Sequence, residues 1–248
     1  MSDVGREDVA ERVALLELRR PPANFFDEAL LTELSDALEA LDDDAGVSCV
    51  VLGSAGKHFC AGADLRGMGA AGIRRVYRQA YRLFTGRKPV VAAVQGGAIG
   101  GGLGLAMAAD FRVAAPDARL TANFARIGFH QGFGLSVTLP AAVGRQTALE
   151  LLYTGRSVNG TEAVQLGLCD RVAEDPRAEA IALASSIAES APLAVPAIRA
   201  TMRRSLVAEV SAALDVEAIA QAALLDTADF VEGVAASVEK RSPRFVGG

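Results

Sequence analysis

Apolar residues along the chain follow two spacings, one typical of buried strands and one typical of amphipathic helices. Short and almost wholly apolar runs predict buried strands at 13–20, 49–53 and 89–96. Apolar residues recur at helical spacing over 26–41 and again over 72–84, and Asp27 is placed to cap the first of these helices. Short buried strands that alternate with helices favour an α/β fold.

The C-terminal part of the chain has a different pattern. Residues 174–239 are almost purely helical in spacing and rich in alanine, with Pro192 and Pro196 as predicted breaks. We therefore predict a core over 1–190 and a helical region over 191–248. The alanine-rich helix faces suit either an intersubunit surface or ordinary packing on the core, and the pattern favours neither.

Composition and charge exclude several classes of protein. The 248 residues are 51% hydrophobic and carry a net charge of −5, which indicates a globular protein and argues against a nucleic-acid surface. The charged N-terminus lacks an apolar signal, and no run approaches the ~18 apolar residues of a membrane span, so we expect a cytoplasmic protein. Cys49, Cys60 and Cys169 are few and widely spaced, as expected of reduced core thiols and not of disulfides or metal ligands.

Four glycines stand within the five positions from Gly100 to Gly104, directly before an apolar helical stretch. A cluster this dense indicates that a ligand or another backbone comes very close. The dinucleotide fingerprint does not fit, because Leu105 or Met107 stands at its last position. The P-loop pattern also fails, because His58 follows the only Gly-Lys pair.

Two loops of small residues remain as candidates for binding an oxyanion. One opens a helix near Gly101 or Gly102, where free N–H groups and the helix dipole favour negative charge. The other runs over 59–65, where Ala61, Gly62 and Ala63 are too small to block a ligand. Two such loops, each after a buried strand, could together polarise one carbonyl oxygen.

Four segments follow one another along the chain: FCAGADL at 59–65, GGAIGGGLGLAMAADFRVA at 96–114, FARIGFHQGFGLSVTLPAAVG at 124–144 and SVNGTEAVQLGLCDRVAE at 157–174. In this order and spacing they resemble the enoyl-CoA hydratase/isomerase (crotonase) family. The resemblance implies an α/β fold with a crotonase-like ββα spiral core and a helical C-terminal trimerisation region, assembled as a homotrimer or hexamer. It also implies acyl-CoA thioester substrates and no metal or redox cofactor, with coenzyme A present only as part of the substrate.

The same resemblance assigns roles to single positions. The oxyanion hole is expected at the backbone N–H groups of Ala63 and Gly101. The other residues implied in substrate binding are Ala23, Ala61, Asp64, Leu65, Gly100, Phe124 and Gln131. We also expect Asp64 to cap the helix that follows it.

This chain departs from the family at its acid and base positions. Members that hydrate enoyl-CoA carry glutamates where Gly104 and, within one residue, Phe124 stand here, and the aspartate of some isomerase-like members would fall at Gly132. Hydration needs a base to activate water and an acid to protonate the α-carbon, each worth about 10² to 10⁴ in rate. The missing carboxylates therefore argue against ordinary hydration.

Three alternatives follow for the chemistry. His130 lies on the loop that lines the acyl pocket in the family, among phenylalanines that suit a neutral base. It is therefore the candidate to replace the missing carboxylates. The alternative for a lone loop histidine is that it only bonds a backbone carbonyl. Alternatively, the oxyanion hole serves decarboxylation or thioester hydrolysis. In the third alternative the chain is a non-catalytic acyl-CoA-binding protein.

Overall fold

The computed structural model describes residues 2–64 and 69–248 and has a mixed α/β fold. The strands are β1 (Val4–Ala10), β2 (Val13–Leu18), β3 (Cys49–Ser54), β4 (Val90–Val94), β5 (Gly97–Ile99), β6 (Phe111–Ala114), β7 (Arg119–Thr121), β8 (Val158–Asn159) and β9 (Arg171–Val172). The α-helices are α1 (Glu28–Asp43), α2 (Ala70–Thr85), α3 (Gly101–Ala108), α4 (Leu135–Val143), α5 (Arg145–Thr154), α6 (Gly160–Leu166), α7 (Pro176–Ala188), α8 (Ala194–Leu224) and α9 (Ala228–Glu239). A 3-10 helix spans Asn123–Ile127.

The strands form two sheets, of order β1-β2-β3-β4-β6-β9 and β5-β7-β8. In the larger sheet only β1 and β2 pair antiparallel. Both faces of this sheet are covered: Val13 and Leu15 of β2 pack with α7 in one apolar cluster, while Ala14 and Leu16 belong to the main core on the other side. Burial on both faces explains why the predicted strands are continuous apolar runs without alternation.

The elements predicted from apolar spacing are confirmed. The three predicted strands correspond to β2, β3 and β4, and the first two predicted helices to α1 and α2. The Asp27 carboxylate accepts a hydrogen bond of 2.9 Å from the Leu30 amide and so caps α1 as expected. β1 was not predicted, because it is an edge strand whose middle residues, 6–8, are charged and exposed.

Two expectations about helix boundaries are wrong. α2 begins after Gly69, which occupies its N-cap position, so Asp64 does not cap this helix. Pro196 does not break a helix but lies in the first turn of α8, which starts at Ala194. Proline is tolerated there because the first-turn amides have no intrahelical acceptor in any case.

The C-terminal helices share the core of the rest of the chain. Val210, Leu214 and Ala218 of α8 and Phe230 of α9 are buried in the same apolar cluster as the strands of the larger sheet. The assignment of 191–248 to oligomerisation stays a prediction, but these helices also complete the fold of their own chain. In the described residues, no helix has both the length and the apolar character needed to cross a membrane.

A buried ion cluster fastens the first half of α8 to the core. The Asp110 carboxylate lies 2.8 Å from Arg199 Nε and 2.7 Å from Arg203 Nη1. The two guanidinium groups also donate to the carbonyl oxygens of Gly86 and Ala108, at the C-terminal ends of α2 and α3. Because a helix carries partial negative charge at its C-terminus, those carbonyls help to balance the second arginine.

The three cysteines are free and buried, as predicted. Burial raises the pKa of each thiol, Cys49, Cys60 and Cys169, to about 12. Thiols with so high a pKa are protonated at neutral pH and act as small core residues.

Candidate functional site

A cavity of about 810 Å³ opens between the two small-residue loops, the 3-10 helix and the C-terminal helices. Most of its wall is apolar, with the rings of Phe26, Phe124 and Phe133 among the lining residues. The polar side chains in the described part of its wall are Asp64, Tyr77, Asn123, Gln221 and Ser237. A largely apolar pocket with a few polar groups is typical of a small-molecule site.

One wall of the cavity presents the amide of Ala63. Phe26 and Ala63 form an isolated parallel bridge, in which the Phe26 amide donates to Gly62 O at 3.0 Å and the Asp64 amide donates to Phe26 O at 2.8 Å. In such a bridge the neighbours of Ala63 make the hydrogen bonds, so its own N–H points away from the Phe26 strand. No described residue accepts a hydrogen bond from this amide.

The facing wall presents the amide of Gly101 at the start of α3. The Gly100 amide is used, because it donates to Thr121 O at 2.8 Å, and Gly100 adopts φ +55° at the N-cap. The Gly101 amide is the first of the helix and has no acceptor among the described residues. The partial positive charge of the helix N-terminus adds to its capacity to bind an oxyanion.

The two loops are in contact, so their free amides lie close together. A Cβ built on Gly62 would lie 3.6 Å from the Gly101 nitrogen, and one built on Gly101 would lie 3.7 Å from the Ala63 nitrogen. Two free N–H donors on adjacent loops of one cavity are a possible oxyanion-binding pair, and loss of one donor from such a pair typically costs ~3–4 kcal/mol in the transition state.

The glycines of this loop are required by the protein itself as well as by a ligand. A Cβ on Gly101 would stand 2.7 Å from Cζ of the buried Phe26 ring, and one on Gly102 would stand 2.0 Å from Cys60 O. A larger residue at either place would therefore push the two loops apart. The close approach expected from the glycine cluster is in part an approach of backbone to backbone.

Gly104, where the family resemblance leads us to expect a glutamate, faces an occupied space. A Cβ built on Gly104 would lie 2.5 Å from Cβ and 2.9 Å from Cγ of Phe133. Phe133 has φ +61°, is 1% exposed, and packs against Phe26 with ring centroids 5.2 Å apart. The side chain of Phe133 thus fills the volume into which a residue at 104 would project.

Gly132, where the resemblance places the aspartate of some isomerase-like members, is crowded in the same way by two polar side chains. A Cβ built there would lie 1.7 Å from the Tyr77 hydroxyl oxygen and 2.6 Å from Gln221 Nε2. Tyr77 comes from α2 and Gln221 from α8, and the tyrosine donates to Gln221 Oε1 at 2.8 Å. Neither residue belongs to a local motif, so neither can be recognised from the sequence.

The structure brings most of the predicted site residues to this cavity. The lining residues among them are Ala61, Ala63, Asp64, Gly100, Gly101 and Phe124. Ala23 lies behind the wall, where its carbonyl accepts from the Ala61 amide at 2.9 Å. Leu65 lies outside the described residues. Gln131 is not a lining residue, and its amide donates to Ser136 Oγ at 3.2 Å.

His130 also lies outside the cavity lining. Its Nδ1 is 2.7 Å from the carbonyl oxygen of Gln131, and its own carbonyl accepts from Gln221 Nε2 at 2.9 Å. This is the backbone contact that the structural alternative predicts for a lone loop histidine. The role of His130 as a base stays a prediction.

Helix α9 forms part of the cavity wall, a position that its sequence pattern does not predict. Phe230, Val231, Val234 and Val238 of this helix line the cavity, and Phe230 stacks on Phe129 with centroids 4.5 Å apart. The helix comes so close to the 3-10 helix that a Cβ on Gly233 would lie 2.4 Å from the Ile127 carbonyl carbon. Helix α9 therefore contributes to the cavity wall within the same chain that supplies the two amides.

Comparisons with known proteins agree with this architecture. The family model described as enoyl-CoA hydratase/isomerase matches residues 8–248. A crotonyl-CoA hydratase from Syntrophomonas wolfei is 36% identical over 247 residues, covering 95% of each chain. A protein from Bacillus subtilis named "Probable enoyl-CoA hydratase" is 36% identical over 251 residues, covering 96% of this chain and 97% of its own.

Solved structures show the same fold. The crystal structure of an enoyl-CoA hydratase/isomerase from Pseudoalteromonas atlantica matches with a TM-score of 0.89 and 33% identity, over 98% of this chain and 100% of that one. With a family model that spans nearly the whole chain and relatives well above 30% identity, this chain belongs to the enoyl-CoA hydratase/isomerase (crotonase) family.

Proposed function

We propose that this protein is an acyl-CoA enzyme that binds the thioester carbonyl oxygen between the amides of Ala63 and Gly101. The observation that carries the proposal is that these two amides lie in contacting loops at one cavity and lack acceptors among the described residues. An enolate or a tetrahedral oxyanion places its charge on that oxygen, and fixed donors there lower the barrier to either. Coenzyme A enters as part of the substrate.

We propose further that ordinary hydration is not its main reaction. Hydration needs two groups that exchange protons, and Asp64 is the one carboxylate among the described lining residues. The volume beside Gly104 is filled by Phe133, and Phe124 lines the cavity as an apolar ring. Reactions that need the hole but fewer proton-transfer groups, such as decarboxylation or thioester hydrolysis, are better supported by this wall.

The second candidate function is acyl-CoA binding without catalysis. It is favoured by the same shortage of ionisable side chains at the cavity. Against it stands the pair of adjacent free amides, since stabilisation of a developing negative charge is of little use to a protein that only binds the ground state. An enzyme is therefore our first proposal.

A comparison of two ligands tests the oxyanion hole without any mutation. A thioester acyl-CoA and an S-alkyl-CoA of the same chain length differ only in the carbonyl oxygen that the amides would hold. Two hydrogen bonds of about 1 kcal/mol each predict that calorimetry will show at least tenfold tighter binding of the thioester. Equal affinities would contradict the proposed hole, and no binding of either at millimolar concentration would contradict acyl-CoA binding altogether.

A panel of substrates then tests the reaction. Crotonyl-CoA reports hydration through loss of the enoyl absorbance, an α-carboxyacyl-CoA of the malonyl type reports decarboxylation through release of carbon dioxide, and a saturated acyl-CoA reports hydrolysis through the free thiol. We expect crotonyl-CoA turnover far below that of a family member with both glutamates, measured alongside. Equal crotonyl-CoA turnover would contradict the second part of the proposal, and binding without any reaction would favour the non-catalytic alternative.

We propose a homotrimer or hexamer as the working assembly. Large apolar side chains on the outer face of α8 are exposed in the single chain, including Met202 at 75% and Ile198 and Ile219 at 62%. Apolar side chains that are this exposed in the single chain are typical of a surface that becomes buried between subunits. Light scattering at micromolar concentration tests this, and a monomer would contradict it.

A further inference from the structure

The backbone that carries the Phe133 ring has an unusual conformation. Phe133 and Gly134 are consecutive residues with positive φ, at +61° and +76°. A residue with a side chain rarely adopts such a φ, because its Cβ crowds the backbone, and the conformation persists only where surrounding contacts impose it. It directs the ring against Phe26 and beside Gly104, at the edge of the cavity. The contacts that fix this backbone therefore fix one boundary of the cavity.

Buried side chains of α2 and α8 bond to the amides of this segment. The Phe133 amide donates to the Tyr77 oxygen, and the Gly134 amide donates to Glu217 Oε2 at 2.8 Å. Glu217 Oε1 accepts from the Ser136 amide at 3.0 Å, and the Ser136 hydroxyl also bonds to this carboxylate. Both oxygens of Glu217 thus hold the backbone that directly follows Phe133.

A carboxylate in the position of Glu217 is costly to bury. The side chain is 0% exposed, and no arginine or lysine of the described residues pairs with it. Its charge is met instead by neutral donors at the N-terminus of α4, where the helix carries partial positive charge. An apolar residue would avoid the cost of desolvation, but only a side chain with acceptor oxygens can bond both amides. The burial of this group is thus tied to the backbone that it holds.

We infer that Glu217 is a positioning residue that sets the shape of the cavity by holding Phe133 in place. Glu217 is not among the described lining residues, so it acts through the backbone and not by contact with a ligand. When the amides of Gly134 and Ser136 lose their acceptor, the φ of Phe133 is free to return to negative values. The ring then leaves the space beside Gly104, and the cavity accepts a bulkier acyl group. As a statement about ligands, the inference rests on the proposed function.

The alternative is that Glu217 only caps α4 and has no influence on the cavity. Loss of a cap lowers stability and weakens the binding of every acyl-CoA by the same factor. Loss of a positioning residue changes the relative affinity for a bulky and a slender acyl group. The deciding quantity is therefore a ratio of two affinities measured on one variant.

The first measurement compares butanoyl-CoA with tert-butylacetyl-CoA, which has the same chain length and additional methyl branches. Titration calorimetry is done on the wild type, Phe133→Gly, Glu217→Leu and Glu217→Gln. We expect Phe133→Gly to raise the relative affinity for the branched ligand about tenfold, because the ring that fills the space is gone. Glu217→Leu should shift the ratio in the same direction, and Glu217→Gln should shift it less, because glutamine keeps one acceptor oxygen.

The control for these variants is Leu214→Ala. Leu214 lies on α8 about one turn before Glu217, is buried in the core and is not a described lining residue. Its truncation destabilises the same helix but leaves the hydrogen bonds of Glu217 intact. The affinity ratio of Leu214→Ala should therefore equal that of the wild type.

The second measurement needs no ligand. Gly104→Ala should lower the urea midpoint of the wild type, because its Cβ would lie 2.5 Å from the Phe133 Cβ. In a Glu217→Leu background the same change should lower the midpoint by about half as much or less, because Phe133 is then able to move.

Each outcome bears on the inference. An unchanged affinity ratio in both Glu217 variants overturns it, and so does an equal shift in Leu214→Ala. An unchanged ratio in Phe133→Gly also overturns it, even if the Glu217 variants do not fold. Failure of the proposed function looks different, because the wild type would then bind neither ligand. The urea midpoints decide the inference in that case, and equal effects of Gly104→Ala in the two backgrounds overturn it.

Discussion

Helix α8 covers two buried polar regions. One is built on ion pairs, and the other on neutral hydrogen-bonding groups. Near the start of the helix, Asp110 is held between the buried guanidinium groups of Arg199 and Arg203. Further along, Gln221 faces a cavity whose free donors are neutral amides. A buried charge is tolerated only when it is paired, and a paired charge is occupied. The buried ion pairs thus attach α8 to the core, whereas the donors that remain free at the cavity are uncharged.

The largest effect is expected where the charged region is broken. Asp110→Ala leaves both arginines buried without their carboxylate, and removal of one partner from a buried ion pair costs about 3–5 kcal/mol. Urea denaturation should show this loss in the free energy of unfolding. The control is Asp43→Ala, whose pairing with Arg87 is 83% exposed on the aspartate side and should contribute little. Similar losses in the two variants would contradict the fastening role of Asp110.

An intermediate effect is expected where the cavity is filled. Gly104→Ala should cost about 1–3 kcal/mol, because its Cβ would collide with that of Phe133. Phe133→Gly is the one substitution at this position that removes the colliding Cβ, and glycine also suits the φ of +61° found there. We therefore expect Gly104→Ala to cost less than about 0.5 kcal/mol in a Phe133→Gly background, a coupling that a double-mutant cycle measures.

The control for that cycle is Gly86→Ala. The nearest atom to a Cβ on Gly86 is Asp42 Oδ2 at 3.8 Å, and its φ of −52° suits any residue. This change should be neutral in both backgrounds. Additive losses for Gly104→Ala and Phe133→Gly would show that Phe133 does not fill the volume beside position 104.

A smaller effect, visible as a pH dependence, is expected from Glu217, which lies between the two regions. Its carboxylate is fully buried and accepts from the amides of Gly134 at 2.8 Å and Ser136 at 3.0 Å. Burial is the main cause that raises the pKa of Glu217 above its usual range. Because the folded-state pKa is the higher one, the stabilisation that this group adds is complete below the unfolded pKa and is lost as pH rises through the folded pKa.

The measurement is the free energy of unfolding of the wild type and of Glu217→Gln across that pH range. The wild type should lose stability relative to the variant as the pH rises from the usual glutamate pKa upward. Glutamine keeps the size of the side chain but removes its titration, so the difference between the two curves isolates this residue. A constant difference would contradict a raised pKa.

The smallest effect is expected at His130. Its Nδ1 contacts the Gln131 carbonyl, and the residue is not part of the described cavity lining. We therefore expect His130→Asn to keep turnover of whichever acyl-CoA reacts, and acyl-CoA affinity, within about threefold. A general base would instead show a loss of about 10² or more in turnover at unchanged affinity. That result would support His130 as the catalytic base.

Local sequence pattern predicted the main strands and helices and the two amide loops of the site. Apolar spacing located β2, β3, β4 and the first helices, because a buried strand or helix face must repeat with the period of its backbone. The small residues around Ala63 and Gly101 indicated the two amide loops, because close approach to a backbone excludes larger side chains. The charged edge strand β1 was not predicted, since only Val4 and Gly5 of its seven residues are buried.

The sequence by itself determined the α/β fold class, the family and the places where backbone amides are free. Only the tertiary structure decided what fills the cavity: that Phe133 occupies the space beside Gly104, and that Tyr77 meets Gln221 across 144 positions of the chain. The physical reason is the distance along the chain over which each effect acts. Backbone periodicity and glycine chemistry act within a few residues, whereas the shape of a cavity depends on how side chains from distant segments divide one volume between them.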